Sequence, residues 1–588
     1  MKLPHLKPLQ TSRDMIDVFG GYNHNLRIGD GEFHDMKNLT SDHYPVLSSR
    51  HNRGTYATPT TEKGALGLIS KDALCYVEGG DFIINGHHVS MGLSDEPKTL
   101  VSMGSYVIIM PDKMYINTIE NEEDHSFEYG YIEANIITEG SVVFELCKID
   151  GVGYGDVLSR DTAPDNPEDG ELWMDVSSVP HTLKQYSATN STWVAIATTY
   201  IKISSPGIGK PFAEGDGVTI SGIESTDLSD LNSTMIILAR GDDYIVITGI
   251  LDESTTQDTP ITITRKMPEM DFIIESENRL WGCRYGTDIN GNVVNEIYAS
   301  KLGDFKNWNS FAGISTDSYV ASVGTDGQFT GAITHLGYPL FFKENCIHKI
   351  YGNFPANYQI QTTQCRGVQK GCSKSLAIVN EVLFYKSQSA ICAYDGSLPV
   401  EVSSALGNVS YSNAVAGSLG NKYYISMSDA SNKNHLFVYD TVKHMWHKED
   451  NTKVREFCTC RGDLYFIDDS TKVIKSVLGI DCKEKEDPAI EWMAETGIIG
   501  TNSPDKKYIS RIDIRISMEV GSRVYLYVQY NSSDIWEQLP PMVSTTLQTF
   551  AIPVRPRRCD HLRLRIEGHG EAKIFSICKT VSQGSDIL

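Results

Sequence analysis

Apolar residues recur at every second position in short runs along this chain, and Gly, Asn, Asp and Ser break the runs. Ile512, Ile514 and Ile516 alternate with Asp513 and Arg515, and Val524, Leu526 and Val528 repeat the pattern. Successive side chains of a strand point to opposite faces, so a period of two predicts strands with one buried face. No amphipathic helix of twelve residues or more is predicted, and the expected class is all-β.

The predicted strands come in a recurring unit: a short strand, a Gly- or Asn-centred turn, then a Leu-Tyr/Phe-Phe strand and a further turn. The unit is read at 67–85, 100–117, 272–286, 332–352, 376–396, 414–448 and 457–477. The last four begin at spacings of roughly 40 residues, the period of a four-stranded propeller blade. The expected fold is therefore a β-propeller of about seven blades. The stretch NEIYASKLGDFKNWN (295–309) is read as the second hairpin of a blade, with Trp281, Trp308 and Trp446 packed between blades.

Two regions interrupt the repeat. The first, 121–264, is expected to hold one or two small inserted β modules. Within it Pro164, Pro167 and Gly170 make turns, and Trp173 and Trp193 anchor a very small unit. The second, 488–588, is expected to be a β-sandwich or jelly-roll-like module. The remaining divisions are 1–120 for the N-terminal strands and first blades and 265–487 for the other blades.

Charge narrows the function. The chain carries a formal net charge of −23. A general nucleic-acid binder needs clustered Lys and Arg to displace counterions, so that class is excluded as a first reading. An acidic wall can still border DNA without gripping it. The C-terminal module departs from this balance, gathering Arg511, Arg515, Arg523, Arg555, Arg557, Arg558, Arg563 and Arg565. These are either solvated outer-face residues or a docking face for an acidic neighbour, with Arg511, Arg515, Arg555, Arg557 and Arg558 as the docking candidates.

Motifs for chemistry are sparse. The twelve cysteines form no CxxC, and the pair Cys458 and Cys460 lacks a second pair to complete a zinc site, so buried thiols in a reducing compartment are expected. No GxSxG, HExxH or Walker loop occurs, and GIGKPFAEGDG lacks the GKS/GKT and helix of a phosphate cradle. Adjacent His87 and His88 would face opposite sides of a strand. Asp304, Asp326 and Asp395 stand in Gly-flanked turns that favour Asp for backbone reasons. No catalytic residue, metal ligand or cofactor site is nominated. No 18-residue apolar run predicts a membrane span, and the opening MKLPHLKPLQTSRD lacks a signal-peptide core, so synthesis in a cytoplasm is expected.

Three stretches together resemble tailed-bacteriophage tail-nozzle and tail-hub propellers: 21–54, with Asn38, Tyr44, Pro45, Arg50 and Arg53 as counterparts of the family's strand, Tyr-Pro pair and Arg-rich end; 278–309; and 336–352. The segment NPEDGELWMDVSSVPHTLKQY resembles a small module of phage tail and fibre proteins. The resemblance implies a structural protein of the virion neck or tail, assembled in the host bacterial cytoplasm without a membrane. It implies a ring, expected to be a hexamer, that extends the DNA exit channel. The ring would meet adaptor, portal-proximal or fibre proteins and pass DNA without specific binding. A rival reading stays open, in which Trp173, Tyr186 and Trp193 contact a host glycan or receptor. The same three rings could equally be that module's core.

Overall fold

The computed structural model describes residues 11–155, 157–288, 291–482, 484–485, 490–500, 506–555 and 557–583. Residues 1–10 and the expected boundary at 487/488 lie outside the described residues. The protein is all-β, a β-propeller with an insert and a β-sandwich, and it divides into two compact units. One is 1–98 with 340–348 and 362–588; the other is 99–339 with 349–361.

Each of the seven repeats forms an antiparallel meander of strands. They are blade 1 (65–90), blade 2 (99–131), blade 3 (272–322), blade 4 (331–364), blade 5 (377–401), blade 6 (411–448) and blade 7 (454–476). The division between units passes within the strands of blade 4. In the first unit the leading strands of blades 5, 6, 7 and 1 pack in succession; in the second those of blades 2, 3 and 4 do. The middle strands are apolar at consecutive positions: Leu340, Phe341 and Phe342 in blade 4, and Leu464, Tyr465 and Phe466 in blade 7, are buried. Blade 7 takes its fourth strand from the N-terminal side: Gly54–Ala57 pairs antiparallel with Ile474–Ser476. The propeller's sheet sequence is thus completed by a strand read long before it.

The sandwich also draws on both ends of the chain. One sheet continues blade 6 without a break: Met445–Lys448 pairs with Gly21–Tyr22, and the sheet runs on through Glu32–Lys37, Glu491–Thr496, Leu562–His569 and Arg523–Tyr530. Only glycine fits at position 21, where a Cβ would lie 2.4 Å from the Trp446 carbonyl oxygen and φ is +83°. The second sheet contains Leu39–Thr40, Leu47–Ser49, Ala572–Gln583, Lys507–Met518 and Gln548–Pro553, with Thr11–Ile16 paired to Ala572–Gln583. Ile512, Ile514 and Ile516 are fully buried, as their alternation predicts, and so are Val524 and Leu526. The division at 1–120 therefore needs correction: strands within 11–49 belong to the sandwich, because their main-chain hydrogen bonds are made there.

The insert begins later than expected, since Phe127–Tyr131 is still the outer strand of blade 2. Two sheets enclose one core. The first is Ala134–Ile137, Thr262–Arg265, Gly217–Ser221 and Thr234–Ile236; the second is Ala239–Gly241, Tyr244–Thr248, Tyr200–Ser204, Val142–Cys147 and Thr255–Gln257. Phe144, Ile201, Ile203, Val218, Ile245 and Ile263 fill the space between them. A third sheet, Leu158–Arg160, Leu172–Asp175, Thr182–Ser187 and Thr192–Ala195, is nested inside this insert.

The stretch 295–309 is not a hairpin. Val293–Ala299 is the third strand of blade 3, and the residues after it form a loop, buried at Phe305, Asn307 and Trp308 and exposed at 311–315, before the fourth strand, Tyr319–Ser322. Arg279 holds that loop, its guanidinium donating to the carbonyls of Ser300, Ser315 and Asp317. Phe305 and Trp308 enter the core shared by blades 2 and 3 with Ile108, Tyr115 and Leu280.

Candidate interaction surfaces

The residues singled out near the N-terminus converge on one clamp. Arg53 is buried, and its guanidinium meets Glu449 at 2.6 Å and Asp450 at 2.8 Å, at the turn leaving blade 6. Burial alone would lower its pKa, but Asp450 and Glu449 outweigh that and raise it above the ordinary arginine value. Arg50 Nε donates to Asn38 Oδ1 at 2.9 Å, and Asn38 Nδ2 donates to the Glu491 carbonyl at 2.8 Å. The Pro45 carbonyl accepts from the Phe19 N–H, and Lys443 stands 5.9 Å from the Tyr44 ring centre. Asn38, Arg50, Arg53 and Tyr44 therefore tie the entering chain to blade 6 and the sandwich, while Pro45 closes a contact within the entering chain itself.

The nested sheet separates its three aromatic candidates. Trp173 is buried, donates from Nε1 to the Arg160 carbonyl at 3.1 Å, and lies under the Lys184 ammonium at 4.8 Å. It is core. Tyr186 and Trp193 are cross-strand partners, half-buried, with ring centres 5.4 Å apart. Beside them Lys184 meets Asp175 at 2.7 Å; Lys184 and the Ser177 hydroxyl hold the Asp175 carboxyl down at about 2. A ligand has access to Tyr186 and Trp193 but not to the face of Trp173.

The structure also splits the arginine candidates. Arg511 and Arg515 project from the outer face of strand Lys507–Met518, both exposed. Arg557 does not join them: it pairs with Glu537 at 2.9 Å and lies over Tyr530. Arg555 and Arg558 are exposed on the loop after Gln548–Pro553. Arg563 and Arg565 are spent on Glu495, at 3.2 and 2.7 Å. A missed member is Arg13, which reaches Asp513 Oδ2 at 3.0 Å while Arg511 Nε donates to Oδ1 at 2.7 Å. Arg13 and Asp513 lie 500 residues apart in sequence, and only the pairing of Thr11–Ile16 with Ala572–Gln583 brings them together.

Asp304 and Asp395 act as turn formers. Asp304 accepts from the Lys306 N–H and the Asn307 amide, and Asp395 accepts from Ser397. His88 pairs with Asp81 on the exposed strand His87–Ser90. Among the described residues no group of three or more His, Cys, Asp or Glu is placed to hold a metal ion. No described helix is long and apolar enough to cross a membrane.

No family model matches the chain, and no curated protein matches it. Among solved structures it is similar to an exo-β-1,3-galactanase from Phanerochaete chrysosporium with galactose, at 9% identity, 52% of this chain, 94% of that chain and TM-score 0.21. It is also similar to an engineered GH43 glycoside hydrolase, at 8% identity, 53% and 96% coverage and TM-score 0.20. Trypanosoma rangeli sialidase in complex with sialic acid is similar at 8% identity, 91% and 95% coverage and TM-score 0.17. At these scores none of the three bears on what this chain does.

Proposed function

We propose that this chain is a structural protein of a bacteriophage neck or tail, a nozzle- or hub-like ring component that extends the DNA exit channel and docks neighbouring tail proteins. Its work in this reading is architectural and not catalytic. The observation that carries the reading is where the resembling stretch 21–54 sits. Its strands and its Asn38–Arg50–Arg53 clamp stitch the sandwich, blade 6 and blade 7 into one hydrogen-bonded body. A wall exposed to passing DNA needs that stiffness, and a net charge of −23 disfavours gripping the phosphates.

Gold-tagged antibody against the chain, applied to purified virions and located by electron microscopy, tests the proposal. Gold at the neck or tail axis supports a conduit. Absence from particles, or turnover of a glycan by the purified chain, overturns it. The half-exposed Tyr186–Trp193 pair favours one second reading, host glycan contact, for which gold would sit on peripheral fibres. Tyr186→Ala with Trp193→Ala would then abolish adsorption while particles still assemble.

A further inference from the structure

The outer face of the second sandwich sheet concentrates positive charge on an acidic molecule. Arg13, Arg511 and Arg515 share this face with Asp513. Strand geometry sets Arg515 about 13 Å from Arg511 and Arg13 about 10 Å across two strands from it. Asp513 is buried beneath Arg13 and Arg511, whose side chains stay 65% and 55% exposed, so its charge is already shared between two cations. Among the described residues Arg515 meets no carboxylate within ion-pair reach, and exposed Lys573 extends the patch toward a hairpin end that carries Glu519 and Glu571.

We propose that this face docks an acidic surface of a second copy of the same chain, in a head-to-tail contact; the inference rests on the ring reading above and names its subunit interface. Two copies of charge −23 repel, so contact between them is favoured where the repulsion is locally reversed. A two-fold contact centred on Arg511 and Arg515 would set arginines against arginines. The face therefore meets a different, acidic patch on the next copy. Heterologous contacts of that kind close into cyclic rings or run on as filaments. This face, with the Arg13 and Arg511 guanidiniums held by Asp513, suits bidentate pairing with carboxylates.

The test is sedimentation velocity on the full chain at about 25 mM and about 500 mM salt. Wild type should associate at low salt and lose at least about tenfold in affinity at high salt, as screened charge pairs do. Arg515→Glu, which breaks no described contact, should abolish association with an unchanged melting temperature. Arg511→Gln, a milder change, should weaken it. Mixed with wild type, the Arg515→Glu chain should cap assemblies, because it still offers its acidic patch. Association that is indifferent to Arg515→Glu overturns the interface while leaving a ring through another surface intact. A wild-type chain that stays monomeric at low salt but binds duplex DNA through Arg515 overturns it too, by making nucleic acid the occupant. A chain that forms no ring in virions removes the ring reading itself.

Discussion

With Glu449 and Asp450 on two sides and the Phe466 ring 5.3 Å away, the Arg53 guanidinium has no solvent to fall back on. Removing one partner of a buried pair leaves the other charge uncompensated, at about 3–5 kcal/mol. Arg53→Met should therefore lower unfolding stability by about that amount in urea titrations, whereas Arg515→Met should change it by under about 0.5 kcal/mol. Equal effects would mean that the clamp is not a clamp. Gly568 offers a steric counterpart. A Cβ there would lie 2.0 Å from the Trp492 ring, whose Nε1 donates to the Gly570 carbonyl at 2.9 Å. Gly568→Ala should displace the indole and cost about 1–3 kcal/mol, the range of overpacked cores; an unshifted tryptophan emission spectrum would refute it. Trp173 and Trp193 separate in the same way, since Trp173→Ala removes core and Trp193→Ala removes a half-exposed ring.

At the scale of elements, the insert is bolted to blade 3 and not merely tethered. The buried Asn307 side chain donates from Nδ2 to Asp216 at 2.9 Å and to Asp304 at 2.6 Å, and its Oδ1 accepts from the Gly217 N–H at 2.9 Å. Asp216 also pairs with buried Arg265. Asn307→Leu strands these partners, each at about 1–3 kcal/mol. Hydrogen exchange should then rise in 213–221 while blades 2 and 3 stay protected; uniform protection would show the bolt to be dispensable. The sequence announced Trp308 as buried but not what its loop does, because Asn307 and its partner Asp216 stand 91 positions apart. The blades themselves were legible because their strands, apart from the fourth of blade 7, form local meanders whose alternation and turns lie within some tens of residues. The sandwich was legible only in its C-terminal half, where Ile512–Ile516 alternate cleanly. Of its N-terminal strands, Gly21–Tyr22 and Leu39–Thr40 are two residues long, too short for any period to show, and Thr11–Ile16 and Glu32–Lys37 lack a regular apolar-polar alternation.

For the whole molecule, acid should be destabilising in a defined window. His447 is buried and its pKa is pushed down to about 3; His348, also buried, is pushed down to about 4. Desolvation of the charged form is the main cause in both. Unfolded, each takes a proton near pH 6.5. The stability that comes from keeping both neutral is thus present above about pH 6.5 and lost as pH falls toward 4, at about 1.4 kcal/mol per pH unit for each histidine. Chemical denaturation at pH 7 and pH 5 should show the drop. His348→Gln with His447→Gln should flatten the slope even where it lowers the plateau, and an unchanged slope would refute the assignment.

The pairing of Thr11–Ile16 with Ala572–Gln583 spans up to 571 positions of chain. At ribosomal speeds of about 5–20 residues per second, the first strand waits roughly half a minute to two minutes for its partner. Through that interval Thr11–Ile16 carries unpaired main-chain groups, while blades 1 to 5 can already form. Chains cut short by a late stop codon would lose the last strand and leave the first unpaired, and should collect in inclusion bodies instead of yielding a smaller soluble product.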